Sequence, residues 1–423
     1  MRVSWFRWIF RSRRCTVLFL TLLTVCFCLI YFWVDLCLWV ADANLARRNH
    51  AVAAVWVERS QWFHPSPDAK TCLIQVRIAR RCGDFAEVET KLQQAIKLGA
   101  PRSEVQRENW IAMAQSQQFD GMQSHWNDLL QDARDDEPEI ARAYYAWAML
   151  HHHLDLARKT LESWIQDFPQ DPEPYFLLGR FHQAGPNWEE AEKAYRQSFA
   201  FAPDRDDVRL ALAIALESRL KMNEAIPLFE SYLQKHPDDL SAVQGLSQCL
   251  ISNGDVDSAI QLLRRAAEKN PDDATIQKAY GELLLSSGSP ADAASILERA
   301  YRAAPENANL ANVLARAWKA CGRKSDAEPL LAFVAESRPE LDQLLVIEKE
   351  LRANPNNLEL RMKVAAITAK YVSRQDGIRW YQQVVKISPR YLPAHMALAE
   401  LYRLTGETKL AEYHYNIALR GPQ

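Results

Sequence analysis

Apolar residues recur three and four apart along most of this chain, as at Leu246, Leu250, Ile260 and Leu263. That spacing lines one face of an α-helix, whereas a half-buried strand would alternate. A longer period overlies it. Pro169, Pro203, Pro237, Pro271, Pro305 and Pro339 stand 34 residues apart. Ala157, Ala191, Ala225, Ala259, Ala293 and Ala327 keep the same interval, each twelve residues before its proline. Chance does not put six prolines in one register, so the chain reads as an internal repeat. After Pro339 the phase slips by sixteen residues and resumes, with Pro355 and Pro389 again 34 apart, as are Gly377 and Ala411.

The segment Pro172 to Pro203, "PEPYFLLGRFHQAGPNWEEAEKAYRQSFAFAP", shows what one unit contains. A first helix runs to a turn near Gly185-Pro186, and a second helix follows. Gly179 and Ala191 lack bulk, which lets the two helices approach closely. Tyr195, like Phe229 and Tyr415 in later units, fills the gap between neighbouring pairs. Proline ends the second helix, because it has no N–H to donate and the residue before it avoids helical angles. One pair cannot bury its apolar face alone, whereas a stack of pairs can.

Leu178-Gly179, Ala191, Tyr195 and Pro203 stand where the tetratricopeptide repeat (TPR) has its signature residues, and the chain from about Pro138 onward resembles that family. The resemblance is specific over 138–339 and 356–423 and weak over 41–137. It implies an all-α fold, a right-handed α-solenoid of TPR-type helix pairs, here preceded by an N-terminal transmembrane helix. The expected organisation is a basic N-terminus (1–14), a transmembrane helix (15–40), divergent TPR-like helices (41–137), a regular array (138–339), an inserted helix (340–357) and a C-terminal TPR pair (358–423). The sixteen-residue insert "ELDQLLVIEKELRANP" reads as one extra helix that should kink or break the solenoid.

The transmembrane reading rests on Cys15 to Val34, twenty residues without a charge, about the length that crosses a bilayer core as a helix. The apolar run resumes after Asp35 and continues to Val40, and Trp33 and Trp39 suit an interfacial belt. A cleaved signal peptide is the rival reading: its core is shorter, but Ala41-Asp42-Ala43 is an acceptable small-x-small triplet. Arg2, Arg7, Arg11, Arg13 and Arg14 precede the span, which by the positive-inside rule puts the N-terminus in the cytoplasm. The repeats then lie outside the cytoplasm, in a periplasm beyond the inner membrane.

Composition adds exclusions. With 25% charged residues and a formal net charge of -2, no basic face for nucleic acid is implied. Cys72, Cys82, Cys249 and Cys321 read as small buried apolar residues. No nucleophile elbow, His-Glu-x-x-His or phosphate loop occurs, so no catalytic residue, metal ligand or cofactor is expected. The Asp135-Asp136-Glu137 and Glu189-Glu190 runs read as solvated turns and helix starts. The triplet His151-His152-His153 looks most like chemistry, but in the repeat register it falls at the turn between two helices. Adjacent helical residues point about 100° apart, so three in a row cannot converge on one ion while helical.

Function is therefore expected on the surface of the stack. In TPR proteins the first helix of each unit lines a concave groove that takes an extended peptide or a partner's helix. Carried over by register, the resemblance implies Phe176, Arg180 and Gln183 in one unit, then Leu210, Ile214 and Glu217, then Gln244 and Gln248. Lys278 and Glu282 follow, then Asn309, Asn312, Arg316 and Lys319. The Lys/Asn clamp by which some TPR domains hold a chaperone's carboxylate is not reproduced, since Lys278 has Glu282 where the asparagine should be. The expected role is a non-enzymatic, membrane-anchored scaffold or adaptor for other proteins. Alternatives are a regulatory subunit that recruits a separately encoded envelope enzyme and, less favoured, an atypical TPR-linked transferase. The last helix is expected to leave Tyr413 or Ile417 exposed, which would suit a homo-oligomer.

Overall fold

Helix ends in this protein sit where the repeat register supplies a stop or a start. The computed structural model describes residues 32–47, 49–62 and 66–420, and all regular structure among them is helical. They form two compact units, divided between Leu178 and Gly179. The first holds α1 (32–46), α2 (His50–Ser60), α3 (Ala69–Cys82), α4 (Phe85–Lys97), α5 (Arg102–Gln115), α6 (Trp126–Gln131), α7 (Glu137–Leu150) and α8 (Leu154–Asp167). The division falls within α9 (Pro172–Ala184). The second unit continues with α10 (Trp188–Phe201), α11 (Asp206–Ser218), α12 (Met222–Lys235), α13 (Leu240–Ser252), α14 (Val256–Lys269), α15 (Ala274–Ser286) and α16 (Pro290–Ala303). It closes with α17 (Ala308–Ala320), α18 (Lys324–Ala353), α19 (Leu358–Tyr371), α20 (Arg374–Ile387), α21 (Leu392–Leu404) and α22 (Thr408–Arg420).

Three local devices repeat with the register in the second unit. Asp239, Asp273 and Asn307, 34 apart, each accept a hydrogen bond from a first-turn N–H of the helix they precede, satisfying a donor the helix itself leaves orphaned. Gly254, Gly288 and Gly322 hold the left-handed position that closes the first helix of each pair, with φ of 87°, 82° and 81°. The third is a side-chain latch six residues after the repeat proline. Arg209 donates to the Pro203 carbonyl (2.6 Å), Arg361 to that of Pro355 (2.8 Å) and His395 Nε2 to that of Pro389 (3.0 Å). Tyr175 makes the equivalent bond to Pro169 (3.1 Å) in the first unit. A carbonyl only accepts, so His395 carries its proton on Nε2, and its Nδ1 accepts from His414 Nδ1 at 2.9 Å.

Packing follows the small residues. Ala191, Ala225, Ala259, Ala293 and Ala327 are fully buried. A Cβ added at Gly281 would lie 2.5 Å from Leu297 Cγ, so only glycine lets α15 and α16 touch there. The C-terminal part of the second unit buries two apolar clusters, around Ile347, Val364 and Tyr371, and around Ile378, Tyr381, Leu398 and Tyr402.

Two sequence expectations change. Pro339 does not end a helix, and 340–357 is not an extra helix: α18 runs unbroken for 30 residues through Pro339. A proline costs a helix interior about 3 kcal/mol or more. Here Phe333, Leu341 and Leu344 pack on the cluster beneath, and Glu340 accepts from Lys370 Nζ (2.9 Å) and Tyr371 Oη (3.1 Å), so the extension is held by tertiary contact. The predicted span 15–40 is also too long at its C-terminal end. Cys37 and Leu38 are buried in protein, and α1 packs Leu38, Ala41 and Leu45 on Ala53, Val57 and Ile74. The span up to residue 31 lies outside the described residues. No helix among the described residues is long and apolar enough to cross a membrane.

Candidate functional site

The positions that the register assigns to a groove lie, in the second unit, on the first helix of each pair. Arg180, Gln244, Gln248, Glu282, Asn309, Arg316 and Lys319 are exposed; Gln183, Leu210, Ile214, Glu217, Lys278 and Asn312 are half-buried. Phe176 is half-buried and belongs to the first unit, so it is not grouped with the rest. Most of these side chains make no bond to a described residue. Two exceptions are Gln183, whose Oε1 accepts from Tyr195 Oη at 2.6 Å, and Gln248, which donates to Ser252 at 3.4 Å. Burial holds the Glu217 carboxyl above its ordinary range. The Cys249 thiol is pushed up to about 11 by its own burial and by the charge of Glu217.

Two acids elsewhere in this unit are multiply paired. Glu192, buried, accepts from Arg196 (2.9 Å), Arg219 (2.7 Å) and Lys221 (2.7 Å), tying one helix pair to the next. Burial alone would raise its carboxyl, but the three cations outweigh it and hold it down at about 2. Asp206 takes Arg209, Lys235 and His236 in the same way.

The first unit holds a constellation that the residue spacing did not reveal. Asp136 is fully buried and receives three guanidinium groups, from Arg80 (2.6 Å), Arg81 (3.0 Å) and Arg107 (3.0 Å). Glu108, also buried, takes Arg80 and Arg107 at 3.1 Å each. Arg77 bridges Asp42 and Asp135. The expectation that Asp135-Asp136-Glu137 is a solvated run is therefore wrong for Asp136. A short 3-10 turn, Arg134–Asp136, turns the carboxylate inward beneath the arginines of α3 and α5. Burial raises the Glu108 carboxyl above its usual range despite Arg80. At Asp136 burial also acts upward, but the three arginines win and hold the carboxyl well below it. The sequence signal was there, in "RIARRC", an otherwise apolar helix carrying arginines on its inner face.

Two clefts border this network. One of about 740 Å³ is lined by Trp39, Asp42, Lys70, Arg77, Glu104 and Arg134. The other, about 630 Å³, is lined by His50, Arg81, Cys82, Gln117, Glu139 and Arg142. Each mixes charges of both signs.

The histidine triplet lies in the turn between α7 and α8. His151 Nδ1 donates to the Trp147 carbonyl at 2.9 Å, and the His151 and His153 rings rest on the Trp147 indole, with centroids 5.0 and 5.4 Å away. His152 takes the left-handed position, φ 58°, that Gly254 fills three repeats on. No group of three metal-ligating side chains occurs among the described residues. Cys72 and Cys249 are buried as expected. Cys82 and Cys321 are not: both sit at helix ends and are exposed.

The fold defines a class, an all-α protein of stacked helix pairs. Family models described as tetratricopeptide repeat match residues 175–239, 221–283 and 284–344. Residues 175–344 are thus tetratricopeptide-type repeats. No curated protein matches it. Solved structures resemble parts of it. PilW, titled a widely conserved type IV pilus biogenesis factor, is 18% identical at a TM-score of 0.42, over 47% of this chain and 93% of that one. YrrB, titled a TPR protein with an unusual peptide-binding site, is 17% identical at 0.35, over 42% and 91%. MamA from Desulfovibrio magneticus RS-1 is 15% identical at 0.38, over 40% and 95%.

Proposed function

We propose that this protein is a membrane-anchored, non-enzymatic scaffold or adaptor that binds other proteins through the groove of its second unit. TPR repeat proteins are typically non-enzymatic scaffolds. The observation that carries the reading is the contrast within that unit. Buried acids such as Glu192 are neutralised by the chain's own cations, whereas Lys278, Glu282, Asn309, Arg316 and Lys319 along the first helices make no bond to a described residue. A repeating set of exposed and half-buried polar groups without internal partners is available to another molecule.

Anchoring rests on the uncharged run Cys15 to Val34 and on the surface of α1. Phe32, Leu36 and Trp39 are 59%, 49% and 69% exposed, and their spacing puts them on one stripe of the helix. Trp62 is exposed as well and stacks on Trp33, centroids 6.3 Å apart. Such a stripe suits a headgroup layer. The arginines before the span favour a cytoplasmic N-terminus and extracytoplasmic repeats. Self-association through the last pair is a further part of the reading: Tyr413 is 59% exposed, and Met396, Ala411 and Tyr415 line a separate apolar hollow on the same pair.

Affinity capture of the full chain from detergent-solubilised membranes tests the role. A stoichiometric partner lost with Arg316→Ala and Lys319→Ala supports the scaffold; retention by that double variant counts against the groove. If the partner carries assigned chemistry, the regulatory-subunit alternative gains. Fusing a reporter that works only in the cytoplasm after residue 60 tests topology, and activity there would reverse the orientation.

A further inference from the structure

Glu217 is in the wrong place for the stability of the protein that carries it. It sits in the last turn of α11, where the helix carbonyls already point their negative ends. It is half-buried, and burial penalises its charge. No described residue gives it a hydrogen bond or an ion pair, whereas Glu192, Asp206, Glu298 and Glu340 in the same unit all have a cation or a donor.

The register shows what is missing. One repeat earlier the same two positions hold Gln183 and Tyr195, and the tyrosine hydroxyl donates to the glutamine oxygen at 2.6 Å. Thirty-four residues on, the pair becomes Glu217 and Phe229. The acceptor has gained a full charge while the donor has lost its hydroxyl. In the next two repeats the pairs are Ile251 with Leu263 and Leu285 with Leu297, apolar on both sides. Only the Glu217 pair is mismatched among these. Gly245 lies against it: a Cβ there would come within 2.6 Å of Phe229 Cζ and 3.2 Å of Glu217 Oε2. The carboxylate thus stands over a glycine, with no side chain from that position above it. Both groove residues of the adjoining helix, Gln244 and Gln248, are uncharged and supply no competing cation.

We propose that Glu217 is the anchor for a cationic group of the bound partner, a lysine, an arginine or a free amine in a segment lying along the groove. The incoming donor takes the place that Tyr195 fills for Gln183, and its charge offsets the helix terminus and the desolvation together. This rests on the groove reading above and adds the chemistry of what the groove selects. Charge-assisted bonds to a half-buried carboxylate are stronger than neutral ones, so one such contact can dominate recognition.

The test is selection of a random dodecapeptide phage library on the full chain in detergent micelles, alongside Glu217→Gln and, as control, Glu230→Gln, an exposed carboxylate on the second helix α12 and outside the groove. Enrichment of lysine and arginine by the wild type and by Glu230→Gln, with at least tenfold weaker binding of those peptides to Glu217→Gln, is the expected result. Enriched peptides without a basic bias, or a bias that Glu217→Gln preserves, overturn this proposal and leave the groove standing. Failure of the wild type to enrich any peptide overturns the groove reading and this one with it. Without ligand, Glu217→Gln should raise the thermal midpoint; a fall would show that the carboxylate already has a partner and would contradict the proposal.

Discussion

The two units bury charged groups to different extents. The first takes charge into its interior: Arg80, Glu108 and Asp136 are all nearly inaccessible, and α3, α5 and the turn before α7 meet on them. The second takes in charge at fewer places, Glu192 and Arg209, and fills most of its interior with alanine, leucine and aromatic rings. The difference tracks the register. Where the 34-residue pattern is regular, each helix finds its neighbour through small residues at fixed places, and polar ties such as that of Glu192 to Arg219 and Lys221 supplement them. Where the pattern is degenerate, a directional network supplies what the repeat does not. Buried ion pairs add little stability over apolar packing, but breaking one is costly.

Breaking that network should give the largest effect. Asp136→Asn leaves three guanidinium groups around a neutral amide and is expected to destabilise the first unit by about 3–5 kcal/mol. Urea unfolding followed by hydrogen exchange would place the loss in α3, α5 and α7; an unchanged midpoint would mean the network is ornamental. Overpacking the second unit comes next. Gly281→Ala forces a methyl group against Leu297, at about 1–3 kcal/mol. The loss should stay within that unit.

Acid sharpens the contrast. Glu192 is held down at about 2, so its pairing contributes fully above the unfolded value, about 4.3, and is lost as pH falls from there toward 2. Glu192→Gln should flatten the stability slope below pH 4 in the second unit, and a slope unchanged by the substitution would assign acid sensitivity elsewhere. The smallest change is a gain. Leu220 takes the left-handed position of its repeat at φ 59° with its side chain 80% exposed, and Leu220→Gly should stabilise by about 0.5–1 kcal/mol in a thermal melt. The same substitution at His152 should behave alike, since that histidine occupies the same register position.

The regular part of the fold was legible because its determinants are periodic. Proline, alanine and glycine act through the backbone, and their spacing survives without knowledge of any contact. Helices α8, α10, α12, α14, α16 and α20 all end two residues before a register proline or its phase-shifted counterpart. Pro339 escaped because its helix is held by residues far along the chain, Lys370 and Tyr371, which no local rule reaches. The Asp136 network escaped for the same reason: an arginine on a helix reads as solvent-facing until its carboxylate is found 56 residues away. The Glu217 mismatch was present in the sequence all along. It became visible only when the Gln183–Tyr195 bond showed what its register position ordinarily requires.

Site-specific photocrosslinking in native membranes tests the groove most directly. A photoreactive residue at Gln248 or Arg316, exposed on the first helices, is compared with one at Gln261 or Arg299, exposed on the second helices. Discrete protein adducts from the first pair of positions and none from the second are expected. Adducts of equal yield from both pairs, or from the second pair alone, would contradict a partner-binding groove.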